Sequence, residues 1–293
     1  MVVGVSKRPL IVMLIPFFLF VALLILCVFW TLGISFTDKA LLGLAAIHPK
    51  FVGFKNYLRL ITHPDFLNSM KVTVIFTFSS AIVGQCILGL LLAVALKNKK
   101  IRLKPIYEIA ILLGWLLPDM VAAFMWGAFA SGSGFLNVVL APLGIKPVNW
   151  ITTKPLITVI IANIWKGTAW SYLLFAAALD TIPRELFEAA DVDGASALQR
   201  LFYVSIPILL PTILVNILLV TIWTFGYFSL IYGMTGGGPG HSTEVISILM
   251  YKEAFDSFHI GYGSAISISM TIMVGFMSIF YFWGQRRTED VVQ

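Results

Sequence analysis

The chain has 293 residues, of which 59% are hydrophobic and 12% are charged, and its formal net charge is +6. Soluble domains carry about 25% charged residues, so this composition excludes an ordinary soluble fold and indicates an integral membrane protein. The apolar residues lie in long uninterrupted runs, which are typical of transmembrane helices and not of the short alternating strands of a barrel. We therefore predict an all-α, polytopic membrane protein.

Six apolar segments are long enough to form transmembrane helices. The third contains Asp119 in its interior and the fourth contains Lys166. We expect residues 1–293 to form a single transmembrane domain. The predicted spans lie near residues 10–34, 72–96, 106–130, 156–179, 206–232 and 260–284, with external loops near 35–71, 131–155 and 233–259.

Basic residues indicate the orientation of these spans, because Lys and Arg accumulate in short cytoplasmic loops. The short, strongly basic connection between the second and third spans should be cytoplasmic, together with both termini. The residues concerned are Lys97, Lys99, Lys100, Arg102 and Lys104 in that connection, Lys7 and Arg8 near the start, and Arg286 and Arg287 near the end. We expect these basic side chains to contact lipid headgroups. They are not interleaved with aromatic residues, so we do not expect nucleic acid as a partner.

Catalytic and metal chemistry are not expected from this sequence. The histidines are scattered through the predicted external loops, without a metal-ligand pattern or a catalytic triad. The run of residues 235–240, here called the glycine loop, superficially resembles a phosphate-binding loop. No Gly-Lys-Ser/Thr follows it, so the chain should bind no nucleotide of its own.

The predicted cytoplasmic segment between the fourth and fifth spans, residues 180–205, is acidic and has helical features; it is here called the coupling segment. Pro183 suits a first helical turn, and apolar residues then recur at helical spacing. Gly194 should end this helix, and Ser196 with Gln199 has the spacing of a capping box. We predict two short helices joined at Gly194.

Three roles are considered for this segment. An anionic cytoplasmic leaflet repels an acidic helix, which argues against a helix lying on the lipid surface. The segment could cap its own helix bundle. Alternatively, its carboxylates and small residues could dock against a protein partner with basic groups.

The coupling segment resembles the EAA motif of binding-protein-dependent ABC importer permeases, which reads Glu-Ala-Ala, three residues, Gly, nine residues, Ile-x-Leu-Pro. The departures here are Val for Ile and Ile for Leu, both conservative. The matching residues are Glu188, Ala189, Ala190, Gly194 and Val204-Ser205-Ile206-Pro207. Other stretches are similar to the carbohydrate-uptake branch of the family, namely 51–57, 134–137, 148–150, 163–167, 193–195 and 234–244.

This resemblance implies a passive translocation subunit in a bacterial or archaeal cytoplasmic membrane, with a sugar as its solute. Such a subunit pairs with a second, different permease. Two ATPase subunits dock beneath and bind ATP and Mg, and an extracytoplasmic binding protein delivers the solute. The resemblance assigns coupling to the ATPase to Glu188, Ala189, Ala190, Asp191, Gly194 and Pro207.

Polar and aromatic residues within the spans are candidates for the solute pathway, because polar groups in a membrane are costly. Lys166 could instead pair with Asp119, the asparagines could hydrogen-bond between helices, and the aromatic rings could pack or form an interfacial belt. The candidates are Asp119, Asn163, Trp165, Lys166, Asn216, Trp223 and Tyr227.

The glycine loop and the transport class leave further alternatives. Gly236, Gly237, Gly238 and Pro239 could contact the binding protein, gate the pathway or form a flexible connector. An ABC permease for another solute, such as a peptide, phosphate or metal, is one alternative function. An ion-coupled secondary transporter is another, although it should have broken helices and several carboxylates near the midplane, where only Asp119 qualifies.

Overall fold

The computed structural model describes residues 7–97 and 102–292, and within them the side chains of 14–97 and 102–283. Lys99 and Lys100 lie outside the described residues, as do the side chains of the basic residues predicted near both termini. Across the described part of the chain the regular structure is helical, apart from one isolated bridge between Thr37 and Phe51.

The helices vary from one turn to the full thickness of a membrane. Residues Phe78–Gln85 and Leu201–Ser205 form wider π-helical turns within α4 and α11. In chain order the helices are α1 (Lys7–Ser35), α2 (Leu44–Ile47), α3 (Lys55–Thr62), α4 (Pro64–Leu96), α5 (Lys104–Leu116), α6 (Asp119–Phe129), α7 (Phe135–Leu140), α8 (Trp150–Thr153), α9 (Pro155–Asp180), α10 (Arg184–Val192), α11 (Ala197–Phe225), α12 (Ser229–Thr235), α13 (Ile246–Tyr251) and α14 (Ile260–Val292).

The chain divides into two compact units. The first comprises the chain up to His63 together with Met250–Ser269, and the second comprises Pro64–Leu249 and the chain from Met270. In the first unit, the Asn56 amide donates to the carbonyls of Ser35 and Thr37, each at 2.8 Å. Gly261 approaches the same turn so closely that a Cβ there would lie 2.1 Å from the Thr37 carbonyl oxygen.

Helix α9 is the centre of the second unit and packs against α4, α5, α11 and α12. Its contact with α4 depends on small residues, which let two helix backbones approach closely in a membrane. A Cβ on Gly89 would lie 2.5 Å from the Ser171 Cβ, and one on Gly84 would lie 2.3 Å from the Ile164 side chain. The buried core around this contact includes Phe76, Ala122, Val159, Ala162, Phe175, Leu179, Leu209, Leu230 and Ile231.

The third predicted span is not one continuous helix. Helices α5 and α6 are bent by 107° at Leu117-Pro118. Proline disfavours helical geometry in the residue before it, and Leu117 accordingly has an extended ψ of 134°. The prediction of a single span over 106–130 is therefore wrong in this respect.

The fifth predicted span and the loop after it also differ from expectation. Helix α11 ends at Phe225, and α12 follows as a separate element. The predicted external loop over 233–259 is not a simple surface loop, because Val245, Ile246 and Ile248 are at most 2% exposed. The Ile246 amide donates to the Thr73 hydroxyl at 2.9 Å, which fixes this segment against α4.

The six-span prediction holds only approximately. Four described helices, α1, α4, α11 and α14, are long and apolar enough to cross a membrane, and there are five if the bent pair counts as one span. Helix α9 has 26 residues, which at 1.5 Å per residue is about 39 Å. It falls outside that set because it carries Asn163, Lys166 and several hydroxyls, which α9 buries against its neighbours.

Candidate functional site

The break between α5 and α6 opens onto a cavity of about 300 Å³ within the second unit. Five helices, α4, α5, α6, α9 and α11, contribute to it, together with the turns after α5 and α11. Five of the predicted pathway residues meet here. The lining residues are Gln85, Trp115, Leu117, Pro118, Asp119, Asn163, Lys166, Gly167, Trp170, Val220, Trp223, Thr224 and Tyr227.

Asp119 and Lys166 form an ion pair in the cavity wall. The Lys166 Nζ lies 3.1 Å from the Asp119 Oδ1 and donates to the Leu117 carbonyl at 2.5 Å. The Tyr227 hydroxyl donates to the same Asp119 oxygen at 3.0 Å. The pairing that the sequence left open is therefore present, and it joins α6, α9 and the segment after α11.

Two amide side chains, Gln85 on α4 and Asn163 on α9, add hydrogen-bonding groups to the lining. The Asn163 side-chain amide donates to the Ser80 hydroxyl at 2.7 Å. The Gln85 side-chain amide donates to the backbone carbonyl of Asn163 at 3.1 Å. A Cβ on Gly167 would lie 2.3 Å from the Gln85 side chain, so the glycine makes room for this amide. Sequence reasoning missed Gln85, although a polar residue within an apolar span is itself a signal.

Aromatic rings complete the lining. The rings of Trp170 and Trp223 meet edge to face at 4.8 Å between centroids, and Trp115 lies 6.0 Å from Trp170. The buried Nε1 of Trp170 has no hydrogen-bond partner among the described residues. Buried indole N–H groups usually have a partner, so this donor is an exception among the described residues.

Two of the predicted pathway residues do not line the cavity. Trp165 packs edge to face on Trp126 at 5.9 Å and against Gly114. Asn216 is fully buried and donates to the Ser171 hydroxyl at 3.0 Å, which is the interhelical hydrogen bond considered as its alternative. Sequence alone could not separate them from Asn163, because which face of a helix looks into a cavity is a tertiary property.

The coupling segment has the predicted junction of two helices at Gly194, here called the elbow, with one correction. Helix α10 ends before Gly194, which has a φ of +74°, and the Ser196–Gln199 capping box is formed. The second helix is not short, because it continues as α11 for 29 residues. Asp191 forms an ion pair with Arg200 across the elbow, so its contact within the chain is to the other arm.

Helix α10 buries none of its residues in the chain. Glu188, Ala189 and Gly194 are exposed, as are Pro207 and the large apolar side chains of Val192 and Tyr203. One ring anchors the helix: Phe187 packs partly on the cluster that contains Leu179 and Ile182. The rest of the surface is therefore open to a partner.

The glycine loop is an ordered turn. Gly236 and Gly237 have φ values of +60° and +92°, which glycine adopts readily. The Gly238 amide donates to the Thr235 carbonyl at 3.0 Å, and the Thr235 and Thr243 hydroxyls are 2.7 Å apart. These hydrogen bonds do not support the flexible-connector alternative for Gly236, Gly237, Gly238 and Pro239.

Comparison with known proteins gives the context for this arrangement. Residues 85–290 match the family described as binding-protein-dependent transport system inner membrane component. The chain is 38% identical over 237 residues to the trehalose/maltose transport system permease protein MalF of Thermococcus litoralis, covering 79% of this chain and 78% of that protein. It is 32% identical to the sn-glycerol-3-phosphate transport system permease protein UgpA of Agrobacterium fabrum, covering 79% and 80%.

A third relative and a solved structure agree with this. The chain is 34% identical to the sulfoquinovosyl glycerol transport system permease protein SmoG of Agrobacterium fabrum, over 75% of this chain and 72% of that protein. In fold it is similar to a chain of a bacterial ABC transporter involved in the import of the acidic polysaccharide alginate. The TM-score is 0.81, with 22% identity and 96% of both chains covered.

Proposed function

Because this chain belongs to the binding-protein-dependent transport system inner membrane components, we propose that it conducts a sugar or related glycoside through the cavity beside Asp119 and Lys166. The chain is the transmembrane permease subunit of an ABC importer. It supplies the membrane pathway, because its family is described as an inner membrane component of transport systems.

The composition of the cavity wall is the observation that carries this proposal. A sugar has apolar C–H faces and a rim of hydroxyls, so it needs aromatic rings together with hydrogen-bonding groups. Trp170 and Trp223 offer the rings, and Asn163 and Gln85 offer the amides. The volume of about 300 Å³ is at the lower end of the range for small-molecule sites.

The relatives support a carbohydrate or a similar polyol as the solute. Their names refer to trehalose and maltose, to sulfoquinovosyl glycerol and to sn-glycerol-3-phosphate. A small non-sugar solute remains the second candidate, since glycerol phosphate is not a sugar. The bend at Pro118 is one feature of ion-coupled transporters, but the family membership favours import driven by ATP.

The partners follow from the same assignment. We propose that the complex contains two ATPase subunits, which bind ATP and Mg, and that one of them docks on the exposed surface of α10 around Glu188. A second permease would complete the membrane pathway. We propose that an extracytoplasmic binding protein delivers the solute near the glycine loop. A structural neighbour of this chain, an alginate ABC transporter, was solved in complex with its periplasmic protein, which supports a binding protein as a partner. The protein lies in the cytoplasmic membrane, and we propose that both termini face the cytoplasm.

Uptake into proteoliposomes tests the pathway. The complete transporter would be reconstituted with its binding protein, and ATP-driven uptake of labelled trehalose, maltose and sn-glycerol-3-phosphate would be measured. Loss of the Trp223 ring should lower uptake of the transported solute roughly threefold to tenfold, since one aromatic contact is worth about that much. Trp283→Ala is the matched control, because its ring is 54% exposed against 49% for Trp223 and lies outside the cavity.

Two outcomes would count against the proposal. Unchanged uptake in both Trp223→Ala and Asn163→Ala would remove the cavity from the pathway. Only Glu188→Lys reverses the charge, whereas Glu188→Gln merely removes it. If both variants assembled equally well with the ATPase subunits, α10 would not be part of the docking surface.

A further inference from the structure

The charge of the cavity is balanced within its own wall. Among the described residues that line it, Asp119 and Lys166 are the ones with ionisable charge at neutral pH, and they pair with each other. The wall therefore carries no net charge where a solute would pass. A sugar pathway needs hydrogen-bonding groups there but has no requirement for a cation and an anion.

The two partners are not equally buried. The Lys166 side chain is 9% exposed, whereas the Asp119 side chain is 36% exposed. The lysine ammonium is thus held in a poorly solvated position by one carboxylate and by the Leu117 carbonyl at the end of α5. Without the carboxylate this ammonium would be a buried, uncompensated positive charge, which attracts anions strongly in a low-dielectric site.

We propose that Asp119 is a specificity residue that neutralises Lys166 and thereby excludes anionic solutes from the cavity. This inference rests on the proposed function and narrows it, because it restricts the solute to uncharged sugars and glycosides. Sugar phosphates, sulfonates and uronates would pass through the cavity only if the charge balance between Asp119 and Lys166 were changed.

The remaining polar groups around the cavity agree with a neutral solute. The amides of Gln85 and Asn163 and the Thr224 hydroxyl can donate or accept hydrogen bonds without formal charge. None of them supplies the guanidinium or second ammonium that usually binds a phosphate or carboxylate.

Four versions of the assembled transporter in lipid nanodiscs test the inference: wild type, Asp119→Asn, Lys166→Gln and the double variant. Asparagine keeps an acceptor for Tyr227, and the double variant removes both charges together. The probes are the anionic quencher iodide and the neutral quencher acrylamide, acting on tryptophan fluorescence. Trp115, Trp170 and Trp223 are three of the eight tryptophans and lie in the wall, so the difference in quenching between versions, and not the total quenching, reports the local anion concentration.

The ratio of iodide to acrylamide quenching should rise roughly threefold or more in Asp119→Asn, because an uncompensated cation concentrates anions. It should fall in Lys166→Gln and return to the wild-type value in the double variant. An Asp119→Asn ratio equal to wild type would overturn the inference. A double variant as far from wild type as Asp119→Asn would also overturn it, since the effect would then be structural.

A matched pair of sugars separates this inference from the proposed function. Methyl glucoside and methyl glucuronide differ in charge at one carbon, and their binding would be measured in the same four samples. We expect Asp119→Asn to shift the preference toward the glucuronide by on the order of tenfold. The iodide-to-acrylamide ratios could follow the expected order while neither sugar bound to any of the four versions. That result would contradict the proposed sugar pathway but support the role of Asp119 in neutralising Lys166.

Discussion

The Lys97 ammonium lies 4.0 Å from the centre of the Phe187 ring and donates to the Leu179 carbonyl at 3.0 Å. One residue thus joins the end of α4, the end of α9 and the start of the coupling segment. Burial lowers the pKa of this ammonium, and the nearby Asp180 carboxylate opposes that shift. We infer that this contact holds α10 in a fixed orientation under the bundle.

Loss of the Phe187 ring should therefore release α10 from its fixed orientation under the helix bundle. We expect Phe187→Ala to cost about 2 kcal/mol of local stability, from lost packing and the lost cation–π contact. ATP-driven uptake in proteoliposomes should fall more than binding of the ATPase subunits does. Phe187→Tyr keeps the ring and should retain uptake. Equal loss in both variants would show that the cation–π contact does not matter.

Gly194 should be sensitive to backbone conformation and not to side-chain volume. Its φ is +74°, and an added Cβ would meet nothing within 4 Å. A left-handed residue with a Cβ costs about 1–2 kcal/mol, and asparagine tolerates this region best. Uptake should therefore fall in the order glycine, Gly194→Asn, Gly194→Ala, Gly194→Val. If Gly194→Asn were as impaired as Gly194→Val, contact with a partner would explain the glycine better than φ does.

The contact between α4 and α9 should not accept even one methyl group. At Gly89 a Cβ would lie 2.9 Å from the Tyr172 backbone nitrogen, so the helices must separate. We expect Gly89→Ala to destabilise the purified protein by roughly 1–3 kcal/mol, measured as a lower melting temperature in detergent. Gly127→Ala is the control, because a Cβ there meets nothing within 4 Å and alanine favours a helix. A lower melting temperature in the control alone would contradict the packing explanation.

Asn137 should control the order of the loop between α6 and α9. Its amide nitrogen lies within 3.1 Å of three backbone carbonyls, those of Ser131, Gly132 and Val148, which share its two N–H donors, and its oxygen accepts from the Trp150 indole at 2.8 Å. We expect Asn137→Ala to leave these groups unsatisfied and to cost about 1–3 kcal/mol. Faster protease cleavage within residues 131–150 would show this. Cleavage at the wild-type rate would mean that the other contacts suffice.

Local signals in the sequence were sufficient for the coupling segment. The capping box needs only Ser196 and Gln199 at the right spacing, and the elbow needs only a glycine that tolerates a positive φ. Both features depend on neighbouring residues, so they could be predicted without the fold. The bend at Leu117-Pro118 is also a local feature, and the position of Pro118 inside an apolar run was a sufficient warning.

Other features depend on residues far apart in the chain. The burial of Ile246 depends on a hydrogen bond to Thr73, and the role of Gln85 depends on Asn163 in another helix. Polarity marked Asn163 and Asn216 as equals, yet only the first lines the cavity. Such distinctions require the packing of α4, α9 and α11, which periodicity does not contain.

Helix α11 begins at the elbow and carries Val220, Trp223 and Thr224 at its other end. From Ala197 to Trp223 the axis is about 39 Å long. A tilt of roughly 5° about the elbow would therefore carry the Trp223 ring about 3 Å. Asp119 and Lys166 belong to α6 and α9 and need not move when α11 tilts. We expect the Trp223 ring to move relative to Trp170 during each cycle, while the charge balance between Asp119 and Lys166 stays constant.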